Sequence, residues 1–174
     1  MIYINGRFLI NNPTGIENFA YGMCKAMLEK GIKFIILTPK SAIRSYDVIG
    51  FDMIKIGLFT GPLWEQIDLS FFMIGKSRDI LISFSGAGSL IIKNQIITIH
   101  DVAVFQHPEW FSKTYSILYK TITPIIARKS KAILTVSEFS KREITNLFGI
   151  NSDKVIVTYS SPKNYSKCDL IHEQ

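Results

Sequence analysis

His100 and Asp101 stand side by side, and both follow an apolar run, "QIITI" at residues 95–99. An imidazole beside a carboxylate can serve as a general-base pair, the carboxylate orienting or charging the ring. The same two residues could instead finish a strand, Asp101 capping the turn that follows. A second histidine, His107, lies in the aromatic stretch "VFQHPEWF" at 104–111. His100 and His107 lack a third ligand at a recognisable spacing, so no metal site is expected.

Other residues of chemical interest lie in short polar segments. Arg7 follows the first apolar run and could meet an anion, or lie on the surface. "NPTGIEN" at 12–18 puts Gly15 and Ile16 at the start of a helical pattern. Backbone N–H groups there can hold a phosphate, and a plain tight turn accounts for the glycine equally well. "SGAGS" at 85–89 has side chains small enough for close backbone approach, although a simple turn suffices. Trp64, Phe105, Trp110 and Phe111 offer faces on which a sugar could stack. Aromatics in helical patterns are more often core, and core is the expectation for most of these four.

These residues must be positioned by the segments between them. "MIYI" (1–4), "IKFIILT" (32–38), "DMIKIG" (52–57), "DILISF" (79–84), "QIITI" (95–99), "AILTVS" (132–137) and "KVIVTY" (154–159) read as strands. Several are apolar without alternation, the pattern of strands buried on both faces of a parallel sheet. Helical patterns run between most of them. Ile16, Phe19, Ala20, Met23, Cys24, Met27 and Leu28 form one stripe, with Thr14 and Glu17 spaced as a capping box and Gly31 as the C-terminal cap. Residues 63–75 and 138–149 are also helical, the second capped by Ser137 and ended by Gly149. Residues 112–131 are helical too, with Tyr115, Leu118, Tyr119, Ile122, Ile125 and Ile126 on one face. Pro124 predicts a kink or break there. The alternation implies a doubly wound, mostly parallel α/β sheet with helices on both faces. Ligands of such sheets gather beyond the carboxyl ends of the strands, where His100, Asp101, Ser137 and the 13–15 turn all fall.

Composition narrows the class. The 174 residues suit one domain, and 47% are hydrophobic, enough for a substantial core. No apolar run approaches the ~18 residues of a membrane span. The opening "MIYING" resembles no secretory signal, and the two cysteines form no CxxC, so a cytoplasmic setting is expected. The net charge is +6, with small clusters at 127–131 and 140–143. Such a balance suits anionic partners, including a membrane surface, or simply a solvated helix face. No nucleic-acid motif accompanies it, and no nucleic acid is expected.

Four segments together resemble the N-terminal domain of retaining glycosyltransferases of family 4, which have the two-domain GT-B fold. They are "INGRFLINNPTGIENFAYGMCKAM", "GPLWEQ", "IITIHDVAVFQHPEWFS" and "AILTVSEFSKREITNLFGINSDKVIVTY". The resemblance implies a Rossmann-like acceptor-side domain at 1–159, with 160–174 a polar tail or the start of an interdomain linker. It implies a nucleotide-sugar co-substrate, no other cofactor, and a glycan or lipid-linked acceptor in surface polysaccharide synthesis, with mannose or rhamnose the commoner sugars. Position by position, Gly15, with Ile16 beside it, matches the loop that approaches the donor diphosphate. His100 and Asp101 match the pair near the transferred sugar. Arg7, Phe105, His107, Ser137 and Glu138 fall on the acceptor side. His100 is then a positioning group rather than the sole base.

Enzymes of this kind run to roughly twice the present length, as two ordinary domains require. Their acidic C-terminal motif and diphosphate-clamping basic pair have no counterpart here. The expectation is therefore half of a GT-B enzyme, inactive alone. It would work with a separate donor domain or self-associate, at the inner face of a membrane. The alternative is a non-catalytic binding module or a subunit of a split transferase. A nicotinamide-dependent enzyme is disfavoured, since GxGxxG is absent and "TPKSAIRS" is basic where an acid belongs.

Overall fold

The computed structural model describes residues 1–41 and 46–159. The tail at 160–174, Cys168 included, lies outside the described residues, as does part of "TPKSAIRS". Seven strands form one sheet: β1 Ile2–Asn5, β2 Ile35–Thr38, β3 Met53–Lys55, β4 Ile80–Ser83, β5 Gln95–Thr98, β6 Ala132–Thr135 and β7 Val155–Val157. Their order is β3-β2-β1-β4-β5-β6-β7, and every neighbouring pair is parallel. The sheet is thus wholly parallel, beyond the mostly parallel expectation. β1 has the length of its run but is shifted by one residue, and the other six strands are shorter than theirs because flanking residues leave the ladder to enter loops.

The connections follow from handedness. Right-handed crossovers place helices on opposite faces when the chain turns from one sheet edge to the other. Helix α1, Gly15–Glu29, links β1 to β2 on one face. Helix α2 spans 61–73, in which Gly61–Trp64 and Ser70–Met73 flank a π-turn, Glu65–Leu69. A short turn, α3 Ala103–Gln106, and α4 Lys113–Lys129 link β5 to β6, and α5 Glu138–Phe148 links β6 to β7.

Strand alternation divides the core accordingly. Ile4, Ile36 and Ile82 pack with Ala20 and Cys24 of α1. Tyr3, Leu37 and Leu81 point the other way, against Trp64, Leu69 and Met73 of α2. Ile97, Ile133 and Val155 meet Ile126 of α4 and Ile144 and Phe148 of α5. Central strands covered on both faces need apolar residues at successive positions, which is why their sequence does not alternate. Burial pushes the Cys24 thiol up to about 12, so it behaves as a small apolar side chain.

The helix boundaries show where local signals sufficed. Ser137 Oγ accepts the Ser140 N–H at 3.0 Å, and Gly149 closes α5 at φ +60°. Gly31 ends α1 at φ +69°. The capping box at its start is not formed: Thr14 O–H donates to the Glu17 carboxylate, and no side chain caps the backbone. Pro124 does not break α4, which runs unbroken from 113 to 129. Ile122, Thr123, Ile126 and Ala127 are buried on either side, so packing holds the segment helical across the lost hydrogen bond. The outer members of two expected stripes are open, since Ile16, Leu28, Tyr115 and Ile125 are all exposed.

Asn5 ends β1 and accepts the Arg7 N–H at 3.1 Å, opening a 3-10 turn over Gly6–Ile10. Gly6 is pressed onto β2 there: a Cβ would lie 2.7 Å from the Leu37 carbonyl oxygen and 2.5 Å from Ile36 Cγ2. Gly6→Ala should therefore force the turn off the sheet and cost about 2–3 kcal/mol, read as a lower urea midpoint in equilibrium unfolding.

Candidate functional site

A cleft of about 260 Å³ opens at the carboxyl ends of β1, β4 and β5. Its lining includes Arg7, Ile16, Glu17, His100, Asp101 and Phe105, and on α4 Tyr115 and Tyr119. Gly15, His107, Ser137 and Glu138 are not among the residues that line it. His107 is exposed, stacked on Trp110 at 4.1 Å between centroids, with Nδ1 3.2 Å from Glu109 Oε1. Ser137 is spent on its cap, and Glu138 is exposed beside it.

The floor is set by a buried ion pair. Glu65 is fully buried, and its Oε2 lies 2.8 Å from Arg7 Nη1. Asn5 Nδ2 donates to Glu65 Oε1 at 2.7 Å, and the Ala87 backbone N–H donates to the same carboxylate. Burial pushes the Glu65 carboxyl up, while Arg7, Asn5 and Ala87 pull it back. Burial works against the Arg7 charge, but Glu65 and the tyrosines outweigh it and the guanidinium ends above its usual value. Arg7 Nη2 also donates to Tyr119 Oη at 3.4 Å. Arg7 is thus neither a loose surface arginine nor a free anion receptor.

His100 sits at the cleft edge, its ring edge-on to Phe19 with centroids 5.1 Å apart. Its Nε2 lies 3.2 Å from the Phe84 carbonyl oxygen. A carbonyl only accepts, so Nε2 carries the proton and Nδ1 keeps its lone pair. Burial holds the imidazole below its ordinary pKa; the Phe84 contact, Asp101 and Glu17 oppose this more weakly. Asp101 makes no hydrogen bond to the ring. Its Oδ1 accepts the Ala103 N–H at 2.9 Å and so caps the α3 turn. The two residues are therefore neighbours in one cleft, not a hydrogen-bonded dyad.

At the start of α1, Glu17 accepts from Asn11 Nδ2 at 3.1 Å and from Thr14. A carboxylate already complements the positive end of that helix. "SGAGS" serves close approach within the chain. Gly86, at φ +80°, faces Glu65 so closely that a Cβ would lie 2.1 Å from Oε1. Phe105 packs edge-on against core Phe148 and also lines the cleft. Trp64 is fully buried, as expected of a core aromatic, while Trp110 is exposed. Among the described residues no three His, Cys, Asp or Glu side chains converge as a metal site would require, and no helix is long and apolar enough to cross a membrane.

Sequence reasoning missed Glu17, Tyr115 and Tyr119 as cleft groups, and Glu65 as the buried partner of the lining Arg7. Glu65 carried one signal: it is a carboxylate between Trp64 and Leu69, both of which are core. The tyrosines follow Phe111 at successive steps of four, a spacing that reads equally well as packing.

An all-parallel, doubly wound domain with a cleft of mixed polar and apolar lining at its carboxyl rim belongs to the class of α/β proteins that bind small ligands at that rim. The chain belongs to Glycosyltransferase Family 4, whose sequence model matches residues 13–160. It is 29% identical over 84 residues to the O-antigen chain mannosyltransferase RfbU of Salmonella typhimurium, covering 48% of this chain and 22% of that protein. It is 31% identical over 67 residues to the O-antigen chain mannosyltransferase B of Escherichia coli, covering 38% of this chain and 18% of that one. The match thus spans about a fifth of the length of either relative.

Two measurements follow. Glu65→Ala leaves the Arg7 charge buried and unpaired and should cost about 3–5 kcal/mol in urea unfolding. His100 protonates in the unfolded chain near 6.5 but at lower pH when folded. Stability from this group should therefore be full above that value and fall as pH drops through it. Glu65, whose folded value is raised, acts in the opposite sense from about 4.5 upward. The comparison that isolates the histidine is wild type against His100→Gln at about pH 7.5 and 5.5, where wild type should lose more stability.

Proposed function

We propose that this chain is the acceptor-side domain of a retaining sugar transferase, moving mannose from a nucleoside-diphosphate sugar to a glycan or lipid-linked acceptor. The observation that carries the reading is the rim cleft with His100 in its lining, its Nε2 on the Phe84 carbonyl oxygen and its Nδ1 without a partner among the described residues. Family membership and the names of the two relatives support the sugar and the polysaccharide setting. We place its action in the cytoplasm, at the inner face of a membrane, in keeping with the basic net charge.

In this reading the anomeric C–O bond to the diphosphate breaks while an acceptor oxygen bonds the same carbon on the same face. The acceptor proton leaves with the diphosphate. His100 Nδ1 accepts a hydrogen bond from a hydroxyl of the transferred sugar and holds its orientation. Gly15 and Ile16 bring the start of α1 toward the donor, and Asp101, through its cap, fixes the loop after His100. Phe105 contacts the acceptor. His107, Ser137 and Glu138 lie outside the cleft proper and would meet only a longer acceptor.

The departing diphosphate needs positive charge as the bond breaks. Among the described residues Arg7 is the one lysine or arginine lining the cleft, and Glu65 already engages it. A second, donor-binding domain facing the rim supplies that charge in our reading. The test supplies the chain with a donor-binding domain of the family, labelled nucleoside-diphosphate mannose and a lipid-linked acceptor. Chain-dependent transfer is expected, and His100→Ala should lower turnover by about 10²-fold while remaining folded. Failure with every nucleoside-diphosphate sugar offered would overturn the transferase reading.

A further inference from the structure

Phe111, Tyr115 and Tyr119 form a ladder along one wall of the cleft. Phe111 and Tyr115 lie 5.5 Å apart at 12°, and Tyr115 and Tyr119 lie 4.1 Å apart at 22°. Mutual stacking fixes the rings, so the wall is rigid and apolar before any ligand arrives. Tyr115 is nonetheless 41% exposed, more than core packing alone requires.

Arg7 and Thr98 also line this cleft, and each carries a buried polar atom without a partner. Arg7 Nε and Thr98 Oγ1 have no hydrogen-bond partner among the described residues. A buried polar group left unpaired costs about 1–3 kcal/mol. Both atoms lie just beneath the lining surface, and a ligand oxygen that met them after a small side-chain shift would recover that cost.

Charge sets the class of ligand. The chain has 20 lysines and arginines against 14 acids, yet among the described residues Arg7 is the only one of these bases that lines the cleft. Glu65 neutralises it at 2.8 Å, while Glu17 and Asp101 add two carboxylates to the lining. Among the described residues that line it, the uncompensated charge of the cleft is therefore negative.

We propose that the aromatic ladder, with Arg7 Nε and Thr98 Oγ1, forms a subsite for a neutral pyranose ring of the acceptor and disfavours uronate and phosphorylated sugars. This rests on the transferase reading. A pyranose has an apolar C–H face and a rim of hydroxyls. The C–H face packs against the part of the ring ladder that mutual stacking leaves open, Tyr115 above all, and a small shift of the arginine and threonine side chains lets their N–H and O–H donate to the hydroxyl oxygens. A carboxylate or phosphate on the same ring would lie near Glu17 and Asp101 with no free cation among the described lining residues to meet it.

The test is a saturation-transfer NMR titration of the whole 174-residue chain. The probes are methyl α-mannopyranoside, methyl β-galactopyranoside and the methyl glycosides of mannuronic and galacturonic acid. At least one neutral glycoside should bind about tenfold more tightly than its uronate. Tyr115→Ala should weaken the neutral ligand about tenfold, and Tyr115→Phe, which keeps the ring, should restore it. Glu17→Gln should narrow the gap between neutral and uronate. Equal or tighter uronate binding, neutral binding unmoved by Tyr115→Ala, or no pyranoside binding at all would each overturn the proposal. The titration contains no nucleotide-sugar and reads no turnover, so its failure leaves the transferase reading to the transfer assay.

Discussion

A buried carboxylate must be surrounded by donors, because taking an ion out of water costs several kcal/mol that only close partners offset. Glu65 imposes that requirement here. Its oxygens draw in Asn5 from the end of β1, Arg7 from the turn after it, and the Ala87 N–H from the loop between β4 and β5. Gly86 must lack a side chain because the carboxylate occupies that space. Asn5 in turn reaches Ser83 Oγ on β4. One side chain thereby ties three separate segments of chain into the floor of the cleft.

The π-turn belongs to the same constraint. Trp64, Glu65, Leu69 and Ser70 are all buried, a pattern that regular helical steps cannot satisfy. Widening the turn lets both pairs face the sheet, and Ser70 Oγ donates to the Glu65 carbonyl at 3.0 Å. Ser70 then shares a 2.7 Å hydrogen bond with Ser89, and Gln66 Nε2 donates to the Gly88 carbonyl at 2.7 Å. Helix α2 thus holds the 85–89 loop in place by side chains on adjacent turns.

Neutralising Arg7 has a consequence for the cleft as a whole. Positive charge lies over the outer surface, while the lining has carboxylates and an imidazole kept neutral by burial. A site of that character suits ligands rich in hydroxyls.

Much of the fold was legible in the sequence because it depends on local, periodic signals. Unalternating apolar runs marked the strands of a two-sided sheet, and Ser137 and Gly149 marked both ends of α5. Polar residues at strand ends placed His100 and Asp101 at the rim, since the topology of a parallel sheet leaves little choice, while Ser137, expected there too, is outside the cleft lining. The four motif segments together placed the chain in its family. Tertiary structure decided what depended on residues far apart in the chain. Only packing could carry α4 through Pro124, and only the fold could bring Glu65 to Arg7 across 58 positions. Thr14 turned from the backbone to a side chain, and Asp101 turned from His100 to the next turn, because in each case competing partners lay within a few residues. Local sequence could not rank those partners. Their choice depends on burial, and burial is a property of the assembled molecule.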